Sequence, residues 1–401
     1  MAKRIQAASW TTLTASEKSM KKIVYATTYD PADTDAWSGS GSYILKSLQS
    51  AGFETDCIGN LKTHPFSRNL SKLKQVYYGR LFSKTYLRDR EPSQLRQYAA
   101  EIKQRLSTID YDLVFSPGTL PIAYLDIPKP IVFWADATFG GMVNFYPGFR
   151  NLSAETIRQG NEMEQSALSH CQLAIYTSDW AAKTALQNYQ VDPAKVKVVP
   201  FGANLPCDRT IEDIDQMVDR KSFDQCQLLF LGVEWQRKGG DIAIAVAEQL
   251  NRRGIETILH VVGCNPPFEP PSFVKLHGYI SKKTAEGVNT LAQLMSESHC
   301  LILPSQAECY GVVFAEASSF GLPSLATQVG GIPTAIHQGK NGWTFPLDAA
   351  PEAYCDCIER LIESRSHYRQ VARSTFQEYT ERLNWQSAGQ QVRDLIQAYC
   401  G

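Results

Sequence analysis

Two glutamates and two adjacent cations hold most of the chemistry legible in this chain. Glu308 and Glu316 stand either side of a turn in Leu303-Pro-Ser-Gln-Ala-Glu-Cys-Tyr-Gly-Val-Val-Phe-Ala-Glu-Ala-Ser-Ser-Phe-Gly-Leu-Pro323. An apolar strand, Cys300 to Leu303, stops at Pro304-Ser305. A polar loop then carries Glu308, and Gly311 opens an apolar helix that holds Glu316 and ends at Gly321. A strand, a glycine turn and a helix N-terminus leave backbone N–H groups pointing outward, which suits an anion. Carboxylates beside such a site need hydroxyls or positive charge between them. A sugar nucleotide meets both demands, because carboxylates take hydroxyls while amides take the diphosphate. Taken alone, the pair also reads as a surface Glu and a helical Glu favoured by the dipole. The neighbouring motifs decide between these.

The segment Gly232-Val-Glu-Trp-Gln-Arg237-Lys238-Gly239-Gly240-Asp241 sets two cations after a buried strand and before a helix. A diphosphate leaving group gathers negative charge as the glycosidic bond breaks, and fixed cations stabilise it. Lys offers a compact point charge and Arg a bidentate fork; the competing reading is a solvated cation pair. Trp37-Ser-Gly39-Ser-Gly41-Ser-Tyr43 follows the first strand, where glycines let backbone approach a phosphate or sugar, or simply make a turn. Asp136, in Trp134-Ala-Asp136-Ala-Thr-Phe139, ends a buried strand and so faces the predicted cleft. Its roles are to orient an acceptor hydroxyl, to stabilise positive charge at an anomeric carbon, or only to cap the next helix. Gly330-Gly331-Ile-Pro-Thr334 and Leu276-His-Gly278-Tyr279-Ile280 are further strand-end turns, for which turn chemistry is the competing reading.

These motifs need strand ends to hold them. Apolar strands alternate with amphipathic helices along the chain, which predicts α/β architecture with parallel sheets. Strands are expected at 22–28, 53–58, 112–116, 131–135, 173–177 and 196–200. The pattern breaks over the charged stretch 204–227 and restarts at Leu228, with strands at 257–262, 274–277, 300–303 and 324–326. The expected layout is an extension over 1–20, a first Rossmann-like domain over 21–205, a linker over 206–226 and a second domain over 227–383. Ligands of such sheets bind at the carboxyl ends of the strands, here the cleft between two domains.

Composition narrows the classes. The chain has 401 residues, 43% of them hydrophobic and 20% charged, with a net charge of −1. That balance gives no reason to expect a nucleic-acid partner, and no apolar run reaches membrane-span length. Residues 1–20 lack the apolar core of a signal peptide, and ten scattered cysteines suggest reduced thiols in a cytoplasmic protein. One stretch departs from the average. Residues 68–90 carry Arg68, Lys72, Lys74, Arg80, Lys84, Arg88 and Arg90 interleaved with Tyr77, Tyr78, Phe82 and Tyr86. It reads as peripheral contact with an anionic membrane, as a site for an anionic acceptor, or as a solvated helix face.

The two glutamates with seven residues between them, set after the Arg237-Lys238 pair, resemble the motifs of family 4 glycosyltransferases, retaining enzymes of the GT-B fold. The resemblance covers most of the chain from about Lys21. It implies two Rossmann-like domains facing across a cleft, with the final helix (384–401) crossing back onto the first. It also implies metal-independent hexosyl transfer from a UDP- or GDP-sugar to a sugar, lipid or small-molecule acceptor, with no cofactor. Glu308, Lys238, Arg237 and Asp136 would then be the catalytic set. Donor contacts would come from Glu316 on the ribose and from Gly39, Gly41, Cys309, Tyr310, Gly311, Val312 and Gly331, with Gly278 and Tyr279 near the base. Three departures stand out. Val233 replaces a frequent Arg, so Arg237 either substitutes for it or points to solvent. Asp136 stands where many relatives carry His, and Cys309 replaces a smaller residue. Asp33-Thr-Asp35 matches the metal-binding Asp-x-Asp string of other glycosyltransferases but lies in a turn-rich loop, and no cluster has metal spacing. An inverting transferase, an epimerase and a non-catalytic sugar-nucleotide binder are the alternatives.

Overall fold

The computed structural model describes residues 22–33 and 36–401; the extension over 1–20 and Asp35 lie outside the described residues. Six parallel strands form the first sheet: β1 (Lys22–Ala26), β2 (Glu54–Ile58), β3 (Leu113–Ser116), β4 (Ile131–Ala135), β5 (Leu173–Tyr176) and β6 (Val196–Val198), in the order β2-β1-β3-β4-β5-β6. The second sheet holds β7 (Cys226–Leu231), β8 (Thr257–Val262), β9 (Val274–Leu276), β10 (Cys300–Leu303), β11 (Ser324–Thr327) and β12 (Gly342–Phe345), in the order β12-β11-β10-β7-β8-β9. All the strand pairs are parallel. β3, β4, β5, β10 and β11 are buried at every position. Strands covered on both faces need continuous apolar runs rather than alternation, which is why they were readable.

The direction in which successive strands are added reverses once in each sheet. β7 lies between β8 and β10, and β1 between β2 and β3. Such switch points open a crevice at the strand carboxyl ends. At β7 and β10 the crevice receives the two motifs that bear Lys238 and Glu308.

The last helix, Trp385–Cys400, returns to the first lobe. Trp385 stacks on Tyr43 with ring centres 5.8 Å apart and meets Trp134 edge-on. Arg393 donates to the Ala51 carbonyl at 2.6 Å. At Gly389 a Cβ would stand 2.6 Å from the Ser47 carbonyl oxygen, so the two helices meet at backbone distance.

The expected linker and the basic stretch each hold more structure than a plain loop or surface. The 206–226 segment contains a helix, Ile211–Arg220, opened by a capping box between Thr210 and Asp213. It buries only Ile214 and Val218, and is tied to the helix Arg365–Arg382 by Arg373–Asp215 and Arg369–Asp219 ion pairs. Its four apolar residues, Ile211, Ile214, Met217 and Val218, are spaced among charges and make no continuous run. The basic stretch 68–90 is not one surface either. Most of it is the helix Pro65–Phe82, whose Lys74 turns inward to Glu91 at 2.9 Å and Glu155 at 2.8 Å. Tyr86 and Arg90 are buried beyond it. β12, short and partly exposed, had no strong apolar signal.

Candidate active site

A cavity of about 1080 Å³ lies between the lobes. Its second-lobe wall is built where β7 and β10 end. Beyond β7 the chain turns through Gly232 into the one-turn helix Trp235–Lys238, then into Gly240–Arg252. Gly239 joins the two helices with φ 76°, and a Cβ there would sit 2.1 Å from the Pro304 carbonyl oxygen. The loops after β7 and β10 therefore touch at backbone distance, which only glycine permits. The Gln306 N–H closes the contact by donating to the Arg237 carbonyl at 2.7 Å.

That contact brings the cations to the carboxylate. The Lys238 ammonium pairs with Glu308. Arg237 donates from Nη1 to the Ala307 carbonyl at 3.1 Å and lies 3.4 Å from Glu308 Oε2. Its Nε and Nη2 grip Glu234 at 3.0 and 3.1 Å, and its guanidinium stands 4.7 Å from the centre of the Tyr146 ring. Arg237 thus turns into the cleft and not to solvent. All three charged groups are buried. Removing charges from water is costly unless each is paired; here Glu308 faces both cations, and Glu234 pairs with Arg237 as well. Gly330 and Gly331 support the Glu308 loop from behind. A Cβ on either would lie about 2 Å from the carbonyl oxygens of Glu308 and Cys309 respectively, and the Gly331 N–H donates to the Glu308 carbonyl at 3.1 Å.

Glu316, on the helix Val312–Ser318, is almost fully buried and pairs with Lys282. Across the cleft, burial and the Glu316 charge raise the Tyr43 phenol. Asp136 lies beyond the end of β4 and accepts from Trp37 Nε1 at 3.1 Å. Burial pushes its carboxyl up to about 6; the indole bond opposes this, and the Glu308 charge adds to it. Cys309 is buried beside Asp136 and Glu308, and burial with those charges holds its thiol well above the ordinary range. A thiol so held is a neutral filler and not a nucleophile. Tyr310 donates to the Phe201 carbonyl at 2.8 Å and so struts the wall.

The cavity wall gathers Glu308, Lys238, Arg237, Asp136, Glu316, Gly39, Cys309, Tyr310, Gly311, Val312 and Tyr279. Gly41, Gly278 and Gly331 are not brought to it. At Gly41 the Tyr29 hydroxyl stands 2.1 Å from where a Cβ would be, and Tyr25 donates to the Gly41 carbonyl at 2.7 Å. That glycine makes room for tyrosine. Gly278 makes a turn with φ 65° and accepts from the Gly263 N–H at 2.8 Å. Among the described residues no group of three or more His, Cys, Asp or Glu could hold a metal ion.

A family model described as Glycosyltransferase Family 4 matches residues 42–205, and one described as Glycosyl transferases group 1 matches residues 225–364. One match falls in each lobe. The chain belongs to the family 4 type of glycosyltransferases, with the GT-B fold. A D-inositol 3-phosphate glycosyltransferase of Nocardioides is 24% identical over 58% of this chain and 55% of its own length. The chain thus spans a little over half the length of this relative and of two further D-inositol 3-phosphate glycosyltransferases. A sucrose-phosphate synthase from Thermosynechococcus elongatus superposes with a TM-score of 0.68 at 18% identity, covering 94% of this chain and 98% of that one. Anabaena HepE in complex with UDP-glucose superposes at 0.61 and 14% identity, covering 94% of this chain and 100% of that one. At such identities the likeness shows the fold.

Several wall residues were not legible in the motifs. Tyr146 and Lys282 come from loops with no signature, yet they partner Arg237 and Glu316. At the first-lobe end lie Arg90, Thr119 and Glu164. Arg90 stands over the rings of Phe139 and Phe149 at 5.9 and 5.8 Å. Glu164 accepts from Thr119 Oγ1 at 2.8 Å, while its Oε1 has no side-chain or backbone hydrogen-bond partner among the described residues. Burial pushes its carboxyl up to about 7. A signal existed: Glu164 sits among Gly160, Met163, Ala167 and Leu168 on the buried face of the helix Ala154–His170, where a carboxylate is out of place.

Proposed function

We propose that the chain transfers a hexose, with retention of anomeric configuration, from a nucleotide-diphosphate sugar to an acceptor hydroxyl. The observation that carries this is the buried trio of Lys238, Arg237 and Glu308 at the β7/β10 switch point, facing Glu316 in one cavity. Without donor, Glu308 pairs with Lys238 and stands near Arg237, which Glu234 also holds. A bound diphosphate competes for Lys238 and Arg237, and frees Glu308 to accept from the sugar hydroxyls. As the C1–O bond breaks, negative charge grows on the leaving phosphate oxygen, and both cations are already aimed there. Glu316 accepts from the ribose hydroxyls, with Lys282 holding its carboxylate in place.

UDP-glucose bound to a protein of the same fold favours a UDP-sugar. Metal independence follows from the same reasoning, since two fixed cations supply the charge that a metal would. The first lobe receives the acceptor, with Arg90, Thr119 and Glu164 lining that end. Asp136 orients the attacking hydroxyl.

One feature favours a second reading. Burial pushes the Asp136 carboxyl up to about 6, which suits a general base, and a base opposite the leaving group would invert the product. The test is turnover of UDP-glucose in excess EDTA, with water or an added sugar as acceptor, and the first-formed anomer read by proton NMR. Release of the α-anomer supports retention, and the β-anomer supports Asp136 as base. Activity that appears only with added magnesium or manganese removes metal independence.

A further inference from the structure

The helix Pro65–Phe82 has its polarity reversed. Its inward side is polar: Ser67 and Ser71 are buried, Lys74 pairs with Glu91 and Glu155, and Tyr78 donates to Glu155 at 2.9 Å. Its outward side is apolar, with Phe66, Leu73 and Leu81 exposed by 71%, 67% and 68%, and Val76, Tyr77 and Phe82 by about half. Phe66, Leu73, Tyr77 and Leu81 recur at spacings that keep them in one stripe along the roughly 27 Å helix. Arg68, Lys72 and Arg80 are exposed too, Arg80 in line with Leu73 and the other two to one side of the stripe, and they make no ion pair among the described residues. No acidic residue occurs between Pro65 and Arg88 in a chain whose net charge is −1.

We propose that this face docks on a bilayer carrying anionic lipid. An apolar stripe flanked by cations on a helix lying flat matches a membrane interface, where side chains enter the acyl boundary and cations meet headgroups. A protein interface core would be depleted of lysine and would meet the cations with acids. The helix also leads to the cleft. After Ser83 the chain passes through Thr85, bridged to Leu152, and reaches Asp89 and Arg90 on the cavity wall. A docked helix therefore brings the first-lobe end of the cleft toward the membrane, where a lipid-anchored acceptor would enter.

The test is flotation with vesicles of mixed phosphatidylcholine and phosphatidylglycerol, against pure phosphatidylcholine. It uses neither donor nor acceptor, so its outcome is independent of the transferase reading. The parent protein is expected to float with the mixed vesicles and to be released by high salt. Arg68→Gln/Lys72→Gln/Arg80→Gln is expected to weaken partitioning roughly a hundredfold. Leu73→Ser/Leu81→Ser is expected to weaken it as well, with melting temperature unchanged in both because the inward bonds remain. Equal flotation on the two vesicle kinds, none on either, or variants that behave like the parent would overturn the proposal. A dimer in light scattering that Leu73→Ser/Leu81→Ser abolishes would assign the face to a second copy instead.

Discussion

The two walls of the cleft are built in opposite ways. The second-lobe wall is compact in sequence and dense in charge: Arg237 with Lys238 comes from one loop, and Glu308 with Glu316 from another. The two loops meet through glycine contacts at backbone distance. The first-lobe wall is assembled from scattered residues. Trp37, Arg90, Thr119, Asp136, Tyr146 and Glu164 come from six separate segments. A wall that recognises an unvarying group such as a diphosphate can be one preformed unit. A wall that accepts a variable partner is distributed over loops that change independently. Charge differs too: Glu308 and Glu316 on the second-lobe wall are ion-paired, whereas among the described residues Asp136 and Glu164 face no cation at ion-pair distance, and burial raises both.

The largest effect is expected on the donor side. Lys238→Ala should lower turnover about a hundredfold, the usual scale for losing one donor to a developing anion, while circular dichroism stays unchanged. A folded variant with parental turnover would break the contrast, because the charged wall would then have no part in the chemistry.

Asp136→Asn should cost about tenfold, in the range of a single positioned proton acceptor or less. Its sharper signature is the pH profile. Asp136 is a carboxylate above about pH 6, so activity should rise through that pH in the parent, and the acidic limb should vanish in the variant. The stability sign is opposite. A carboxyl raised by folding removes stability as pH climbs from its unfolded value through 6. The Asn variant should therefore gain melting temperature over the parent at pH 7, with the gain disappearing below about pH 4. A parental pH profile in the variant would leave Asp136 as a helix-entry residue only.

How much of this was legible follows the same division. The strands β3, β4, β5 and β10 are buried on both faces and read as apolar runs, so the sheets could be drawn from the sequence. Lys238 and Glu308 were visible because a strand, a glycine and a charge follow one another in the chain. Gly41 misled, since a glycine that makes room for Tyr29 looks the same in sequence as one that approaches a ligand. The basic stretch misled in part, because composition does not say which side of a helix faces the protein. Lys74 and Arg90 went inward, while Leu73 and Leu81 stayed outside. Glu164 was missed for lack of a motif, although its place on a buried helix face was a usable signal.

The central claim is that Lys238 and Arg237 form a diphosphate site, with Glu316 serving the ribose. The most direct test is calorimetric titration of UDP and of uridine into the parent, Lys238→Ala and Glu316→Gln. A charge that meets phosphate should matter only to the ligand that carries phosphate. Lys238→Ala is thus expected to weaken UDP at least tenfold, over roughly 1.4 kcal/mol, and to leave uridine unchanged. Glu316→Gln is expected to weaken both ligands alike, by a few-fold. If Lys238→Ala leaves the gap between UDP and uridine at its parental size, the buried cations do not hold the diphosphate and the assignment of the donor wall is wrong.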